Sequence, residues 1–169
     1  ARELTLALAP ILTFTCDEVW EHLPQAPGAA ESPLLEDFPR FHSSWNVPEL
    51  VRDFDRLREV RAAVQKLLEE ARTGKVIGHP LDAMVRLRAG RSHPAASVLE
   101  HYRDFLEEWL IVSAVEVEDA EGPDLEISVS HAPGGKCQRC WHWSPTVGRH
   151  AAHPSLCSRC AGIVDPEGR

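Results

Sequence analysis

No stretch of this 169-residue chain approaches the roughly 18 consecutive uncharged apolar residues that a membrane-spanning helix requires. A helical membrane span is therefore excluded. A basic excess is missing too. Lys and Arg number 18 against 26 Asp and Glu, for a net charge of −8, which taken over the whole chain argues against nucleic acid as a partner. Cysteine is sparse, five in all, an odd number with four of them crowded into two tight pairs. That is not the pattern of a small secreted scaffold stapled by disulfides. No internal repeat occurs beyond those pairs. What is left, at 43% hydrophobic and 26% charged residues, is an ordinary globular balance of one domain or two small ones.

One further absence is local. Residues 131–164 contain Lys136, Arg139, Arg149 and Arg159 but no acid. A basic, His-rich module thus follows an acidic body, and such asymmetry points to an anionic partner for that end. The stretch Leu4 to Leu12, with Ala7-Leu8-Ala9, faintly imitates a signal-peptide core. It runs on in helical rhythm into Asp17, Glu18 and Trp20, so a cytoplasmic chain is expected. Starting without Met and in mid-pattern, it reads as a piece of a longer protein.

Leu4, Leu8, Ile11 and Leu12 recur at helical steps, and Pro10 should end that helix near Ala9. Thr15 and Glu18 have capping-box spacing, which predicts a second helix from about Cys16 to Leu23. Pro24 to Pro33 reads as a loop, and Leu34 to Pro39 as a short extended segment. Asn46, Pro48 and Glu49 announce the longest helix, with an apolar stripe of Val47, Leu50, Val51, Phe54, Leu57, Val60, Val64, Leu67, Leu68 and Ala71 and a stop at Gly74. Beyond Lys75 the period changes. Leu81, Ala83, Val85 and Leu87 alternate with Asp82, Met84, Arg86 and Arg88 as in a half-buried strand. Helical spacing returns between 94 and 109, and two strands, Ile111 to Glu118 and Leu125 to Ser130, follow. The fold class expected is mainly α with a small α+β part: helices over 1–75, a β-α-β-β junction over 76–130, a cysteine module over 131–164 and a tail over 165–169.

Cys137-Gln138-Arg139-Cys140 and Cys157-Ser158-Arg159-Cys160 enclose 16 residues, a spacing suited to a zinc site. Each tight turn offers two thiolates, and two turns complete a tetrahedron around one ion. Four thiolates leave no open position, so the ion is structural. A module of about 30 residues cannot fold on its own core, and metal binding supplies the missing free energy, about 10–16 kcal/mol in zinc-finger peptides. Disulfides are the alternative, and iron is a further one, since four cysteines do not choose the metal. His131, His142, His150 and His153 lie close enough in sequence to replace one ligand, although four cysteines make that unnecessary. Cys16, at a predicted helix start, reads as a small buried hydrophobe or as an activated thiol.

The basic residues have two readings. An ion of charge +2 held by four thiolates leaves a net −2, which Lys136, Arg139 and Arg159 can offset; alternatively they meet phosphates. Trp141, directly after a ligand cysteine, is expected to shield a sulfur. Trp143 is expected either to pack in the core or to face solvent and stack on a base.

Several segments together resemble one family. Leu8-Ala9-Pro10-Ile11-Leu12-Thr13-Phe14-Thr15-Cys16-Asp17-Glu18-Val19-Trp20 is similar to the helix-loop-helix of the anticodon-binding domain of class I aminoacyl-tRNA synthetases, with Cys16 where a small residue is commoner. Lys75-Val76-Ile77-Gly78 with Leu81-Asp82-Ala83 resembles the junction shared by the isoleucyl and valyl enzymes. The two cysteine pairs, with Lys136, Trp141 and Leu156, resemble the carboxy-terminal zinc module of bacterial isoleucyl-tRNA synthetases.

The resemblance implies an intact enzyme that joins isoleucine to its tRNA with ATP. The chain contains neither the H-I-G-H nor the K-M-S-K-S signature of the catalytic domain, so ATP would belong elsewhere in that enzyme. The chain itself is expected to bind tRNA, to hold one structural Zn2+ and to catalyse nothing. Its expected RNA contacts are Lys136, Arg139, Trp143, Arg149, Arg159, Arg56, Arg61 and Lys75. For Arg56 and Arg61 the alternative is a surface ion pair with neighbouring acids. Its partners would be isoleucine-specific tRNA and the rest of its own synthetase, with no membrane. One rival is the zinc tail of a DNA-repair glycosylase, although the amino-terminal Pro-Glu of such enzymes is missing here. The other is a protein-docking module that never touches RNA.

Overall fold

Proline, tryptophan and one serine organise the first 47 residues. The computed structural model describes residues 1–40 and 42–165; residues 166–169 of the expected tail lie outside the described residues. Helix α1, Arg2–Leu8, closes at Ala9 just before Pro10. Helix α2 spans Thr13–His22 and starts earlier than the capping box predicts. Its N-cap is Leu12, without a side-chain cap, because Thr13 instead donates its hydroxyl to the Ala9 carbonyl at 3.1 Å. Thr15 therefore lies inside the helix. Trp20 is buried, with its indole N–H donating to the Ala30 carbonyl at 2.9 Å and the Arg2 guanidinium 4.4 Å from its ring centroid. Cys16 is buried beside it on the same helix as a free thiol, which favours the hydrophobe over the reactive group. Ser32 accepts from the Leu34 amide and opens a 3-10 turn, Pro33–Leu35, where the sequence suggested an extended segment.

Ala1–Val47 forms one compact unit and a second begins at Pro48. Helix α3, Pro48–Thr73, belongs to the second because its stripe is the cover of a sheet. Leu57, Val60, Val64 and Leu68 are buried there, whereas Val47, Leu50 and Val51 stay exposed. The boundary between the two compact units falls before the long helix, at 47/48. At its far end Val76 N–H donates to the Ala71 carbonyl (2.9 Å) and Lys75 N–H to that of Arg72 (3.1 Å), a Schellman closure. The left-handed position falls on Lys75, at φ +58°, and not on Gly74.

The sheet has the order β2-β1-β3. Strand β1, Ala83–Gly90, is central; it runs parallel to β2, Ala114–Ala120, and antiparallel to β3, Leu125–His131. A parallel neighbour demands a crossover, which α4 (Ala96–His101), a 3-10 turn (Arg103–Phe105) and α5 (Leu106–Leu110) provide. The expected single helix is thus broken at Tyr102, whose ring packs edge-on to Phe54 at 5.7 Å. Ile111 takes φ +59° to end α5, so β2 starts at Ala114 rather than Ile111. Ala83, Val85, Leu87 and Ala89 face the core under α3, α4 and α5. Arg86 and Arg88 face outward and pair with Glu116, Glu118 and Glu126; such exposed pairs contribute about 0–1 kcal/mol each. The chain is mainly α with a small β part, as its patterning implies. No helix among the described residues is long and apolar enough to cross a membrane.

Candidate metal centre and its basic rim

Two backbone devices present the four sulfurs. A short ribbon pairs β4, Gly135–Lys136, with β5, Trp143–Ser144. Between them Cys137 N–H donates to the His142 carbonyl and Trp141 N–H to the Cys137 carbonyl, both at 2.9 Å. Trp141 adopts φ +66° to close that turn. The second pair is placed by α6, Ser158–Val164, with Cys157 at its N-cap and Cys160 in its first turn.

The four Sγ atoms lie within 4.8 Å of one another, and Cys140 Sγ is 3.8 Å from Cys157 Sγ. A tetrahedron with bonds of about 2.3 Å has edges of about 3.8 Å, whereas a disulfide requires about 2.05 Å. All five cysteines are free, which removes the disulfide alternative. Cys137, Cys157 and Cys160 are buried and Cys140 is half-buried. Histidine adds no ligand to this group among the described residues. His142 Nδ1 is 3.0 Å from the Cys140 carbonyl, His131 Nδ1 is 2.8 Å from that of Ala132, and His150 stacks on His153. The donor set and its spacing fit one closed, structural Zn2+.

The thiols are electrostatically unequal. Burial raises the Cys137 pKa, but amide N–H groups of Cys140, Cys157 and Arg139 outweigh it and bring it down to about 6. Burial, with hydrogen bonds from the neighbouring cysteines, pushes Cys157 up to about 12. The rim answers the sulfurs' charge. Arg139 Nη1 donates to Cys160 Sγ at 3.6 Å, and a hydrogen bond to Cys140 holds the proton of Arg159 more firmly than usual. Two of the four cations thus face the metal site. Lys136 Nζ is shared between Asp82 Oδ1 at 3.8 Å and the Trp141 ring at 6.0 Å. Arg149 is exposed and enters no ion pair among the described residues.

Trp143 takes the packed of its two expected places, and Trp141 departs from its own. Trp141 is 61% exposed, where a sulfur-shielding ring was expected. Trp143 is half-buried, with its ring edge-on to His131 at 4.5 Å and its indole N–H donating to Asp82 Oδ1 at 2.9 Å. The remaining expected contacts lie off the knuckle. Arg61 stacks its guanidinium 5.0 Å from the Trp109 centroid, with a buried and unpartnered Nε. Arg56 is half-buried and lines a small cleft with His93 and Leu125. Among the described residues neither forms the surface pair that neighbouring acids offered; Arg58 does, with Asp55. Lys75 is exposed at the end of α3. Sequence reasoning missed Asp82 as a functional group, although it stands in the Leu81-Asp82-Ala83 segment. Burial raises its carboxyl pKa, while Trp143, the amides of His79 and Gly78, and Lys136 lower it to a net depression.

Comparison with known proteins gives two family matches. Residues 1–87 match the family described as the anticodon-binding domain of tRNA ligase. Residues 134–162 match a zinc finger found in FPG and IleRS. The second description covers two kinds of protein, so the first decides between them, against the glycosylase rival. Among curated relatives, the isoleucine–tRNA ligase of Syntrophotalea carbinolica is 42% identical over 172 residues. That of Geobacter sulfurreducens is 41% identical over 170, and that of Thermotoga petrophila 40% over 164. Each alignment covers 95% of this chain but 18% of the relative.

Proposed function

Because the chain belongs to the family of anticodon-binding domains of tRNA ligases, we propose that it is the tRNA-holding, carboxy-terminal region of an isoleucine–tRNA ligase. The whole enzyme would join isoleucine to its tRNA with ATP bound in a separate catalytic domain, in the cytoplasm. This region positions the anticodon arm and performs no chemistry. Residues 1–75 act as the distal part of the helical anticodon-binding bundle, 76–130 as a β-α-β-β junction and 131–164 as the zinc knuckle. Its partners are isoleucine-specific tRNA and the remainder of the synthetase.

One observation carries this reading: a four-sulfur knuckle, whose own segment 131–164 holds four Lys and Arg and no acid, stands behind an anticodon-binding match in a single chain. Single-stranded RNA is gripped by phosphate contacts and by stacking of splayed bases on aromatic faces. Lys136, Arg139, Arg149 and Arg159 supply the cations. The exposed ring of Trp141, rather than the tied-down Trp143, supplies the aromatic face. Lys75 extends the basic surface, while Arg56 and Arg61 serve the packing of α3 before any RNA. The groove beside the knuckle is lined by Asp104, Glu107 and Glu108 as well as Arg159, so phosphates approach from elsewhere.

The test is a salt titration of tRNA binding with metal content measured by mass. Replacing the four knuckle cations by Ala should make the log–log slope shallower by roughly 3 units. An unchanged slope leaves them only the task of balancing the sulfurs. Footprinting that shows no protection of the anticodon arm sinks the proposal outright.

A further inference from the structure

We infer that Asp82 is a positioning residue that, together with Ser113, latches Trp143 from both ends and aims the zinc knuckle as one rigid piece with the sheet. The inference deepens the RNA-holding reading and rests on it for its purpose, though not for its geometry.

The knuckle hangs from the sheet by a short connection after β3, Ala132-Pro133-Gly134. A tether of that length allows a metal-folded module to swing unless something stops it. Trp143 is the stop. Its backbone N–H donates to Ser113 Oγ at 2.7 Å, and its indole N–H donates to Asp82 Oδ1 at 2.9 Å. These acceptors sit at the start of β1 and just before β2, at one end of the sheet. Trp143 in turn lies opposite Lys136 in the β4–β5 ribbon, directly before the first ligand, Cys137. Fixing Trp143 therefore fixes the direction of the first cysteine pair.

The acceptors are themselves immobile. The second oxygen of Asp82, Oδ2, accepts the amides of Gly78 (3.0 Å) and His79 (2.8 Å), which closes the 3-10 turn Pro80–Asp82. Capping thus uses Oδ2 alone and leaves Oδ1 for Trp143. Ser113 is buried, receives that bond on its hydroxyl oxygen and donates its proton to the Leu81 carbonyl. The connection is pinned as well, since Ala132 N–H donates to the Asp82 carbonyl at 2.7 Å. Gly134, at φ +95°, passes where a Cβ would meet the Ser144 carbonyl at 2.3 Å. An acid placed beside a phosphate grip opposes binding electrostatically, and Lys136 at 3.8 Å offsets it. A purely electrostatic surface would have no use for Asp82. A mechanical one does, because two surfaces held at a fixed spacing engage one RNA without the cost of first ordering them.

The test compares the zinc-loaded chain with Asp82→Asn and with Trp143→Phe. The second keeps an aromatic ring, the backbone bond to Ser113 and the 3-10 cap while it removes the indole donor, so it remains informative if the first misfolds. Three quantities are read: zinc per chain by mass, 15N relaxation of knuckle and sheet amides without RNA, and binding of bulk tRNA against salt. One zinc per chain should be retained in Trp143→Phe. The knuckle amides should tumble faster than the sheet, and tRNA affinity should fall about tenfold with an unchanged salt slope, since no cation is removed. A single correlation time for knuckle and sheet in Trp143→Phe overturns the latch. Loosening with wild-type tRNA affinity overturns its positioning role. A wild-type chain that tumbles as one body yet binds no tRNA instead overturns the RNA-holding reading, and the purpose of the latch with it.

Discussion

Arg139 reaches across the knuckle to the sulfur of Cys160, with Nη1 3.6 Å from Sγ. The two residues belong to different cysteine pairs, so this contact ties one turn to the other independently of the ion. It also sets apart two classes of cation on one surface. Arg139 and Arg159 are engaged by the sulfurs, whereas Arg149 has no such partner among the described residues. Arg139→Ala should weaken zinc retention about 10–100-fold, the usual effect of losing a hydrogen bond to a metal ligand. Arg149→Ala should leave zinc untouched and make the tRNA salt slope shallower by about 0.7–0.9. Chelator competition and salt titration on the same two variants check the separation. Equal zinc loss in both would dissolve it.

Lys75 offers a trade between stability and binding. It occupies the left-handed position that closes α3, where a side chain is strained and glycine is not. Lys75→Gly should raise stability by about 1 kcal/mol, less what glycine's extra freedom in the unfolded chain removes. The same change deletes an exposed cation, so tRNA affinity should drop while the melting temperature rises. Urea denaturation and filter binding measure the two effects. A destabilised variant would mean that the Schellman closure carries no strain.

The metal ligands, the long helix and the inward face of β1 were legible because each rests on spacing within one segment. Cys137 to Cys160 follow the period of two tight turns, and Val85 and Leu87 the period of a strand. What escaped depends on neighbours distant in sequence. Thr15 looked like a cap until the Ala9 carbonyl captured Thr13 and started α2 early. Trp141 and Trp143 are two residues apart on a ribbon, and local sequence cannot say which side faces the sheet. Asp82 and Ser113 decide that, from 61 and 30 residues away. The break at Tyr102 likewise answers to Phe54 on another helix.

The placement of α3 with the sheet predicts where a core lesion is felt. Leu57 is buried on the stripe among sheet and crossover residues. Leu57→Ala should cost about 2–5 kcal/mol. Amide exchange should accelerate in β1, β2 and β3, while α1 and α2, in the other compact unit, keep their protection. Loss of protection confined to α1 and α2 would move the long helix back to the first unit.

Removing the metal should show both how the knuckle folds and which protons it displaces. Without the ion, residues 134–164 retain a core of three buried cysteines with Val147 and Leu156 beside them, too little to offset chain entropy. Chelation should therefore unfold that segment and leave the sheet and α3 intact, as circular dichroism and amide exchange can follow. Reloading must expel protons, because thiolates and not thiols bind zinc. In the unfolded segment the four thiols return to the ordinary cysteine value of about 8.5 and are mostly protonated at neutral pH. Raising the pH removes the proton that competes with the metal, so zinc affinity should climb with pH and fall toward acid. Calorimetry in buffers of different ionisation enthalpy gives the number of protons released per zinc. A zinc affinity independent of pH between about 6 and 8 would mean that neutral thiols or other donors hold the ion.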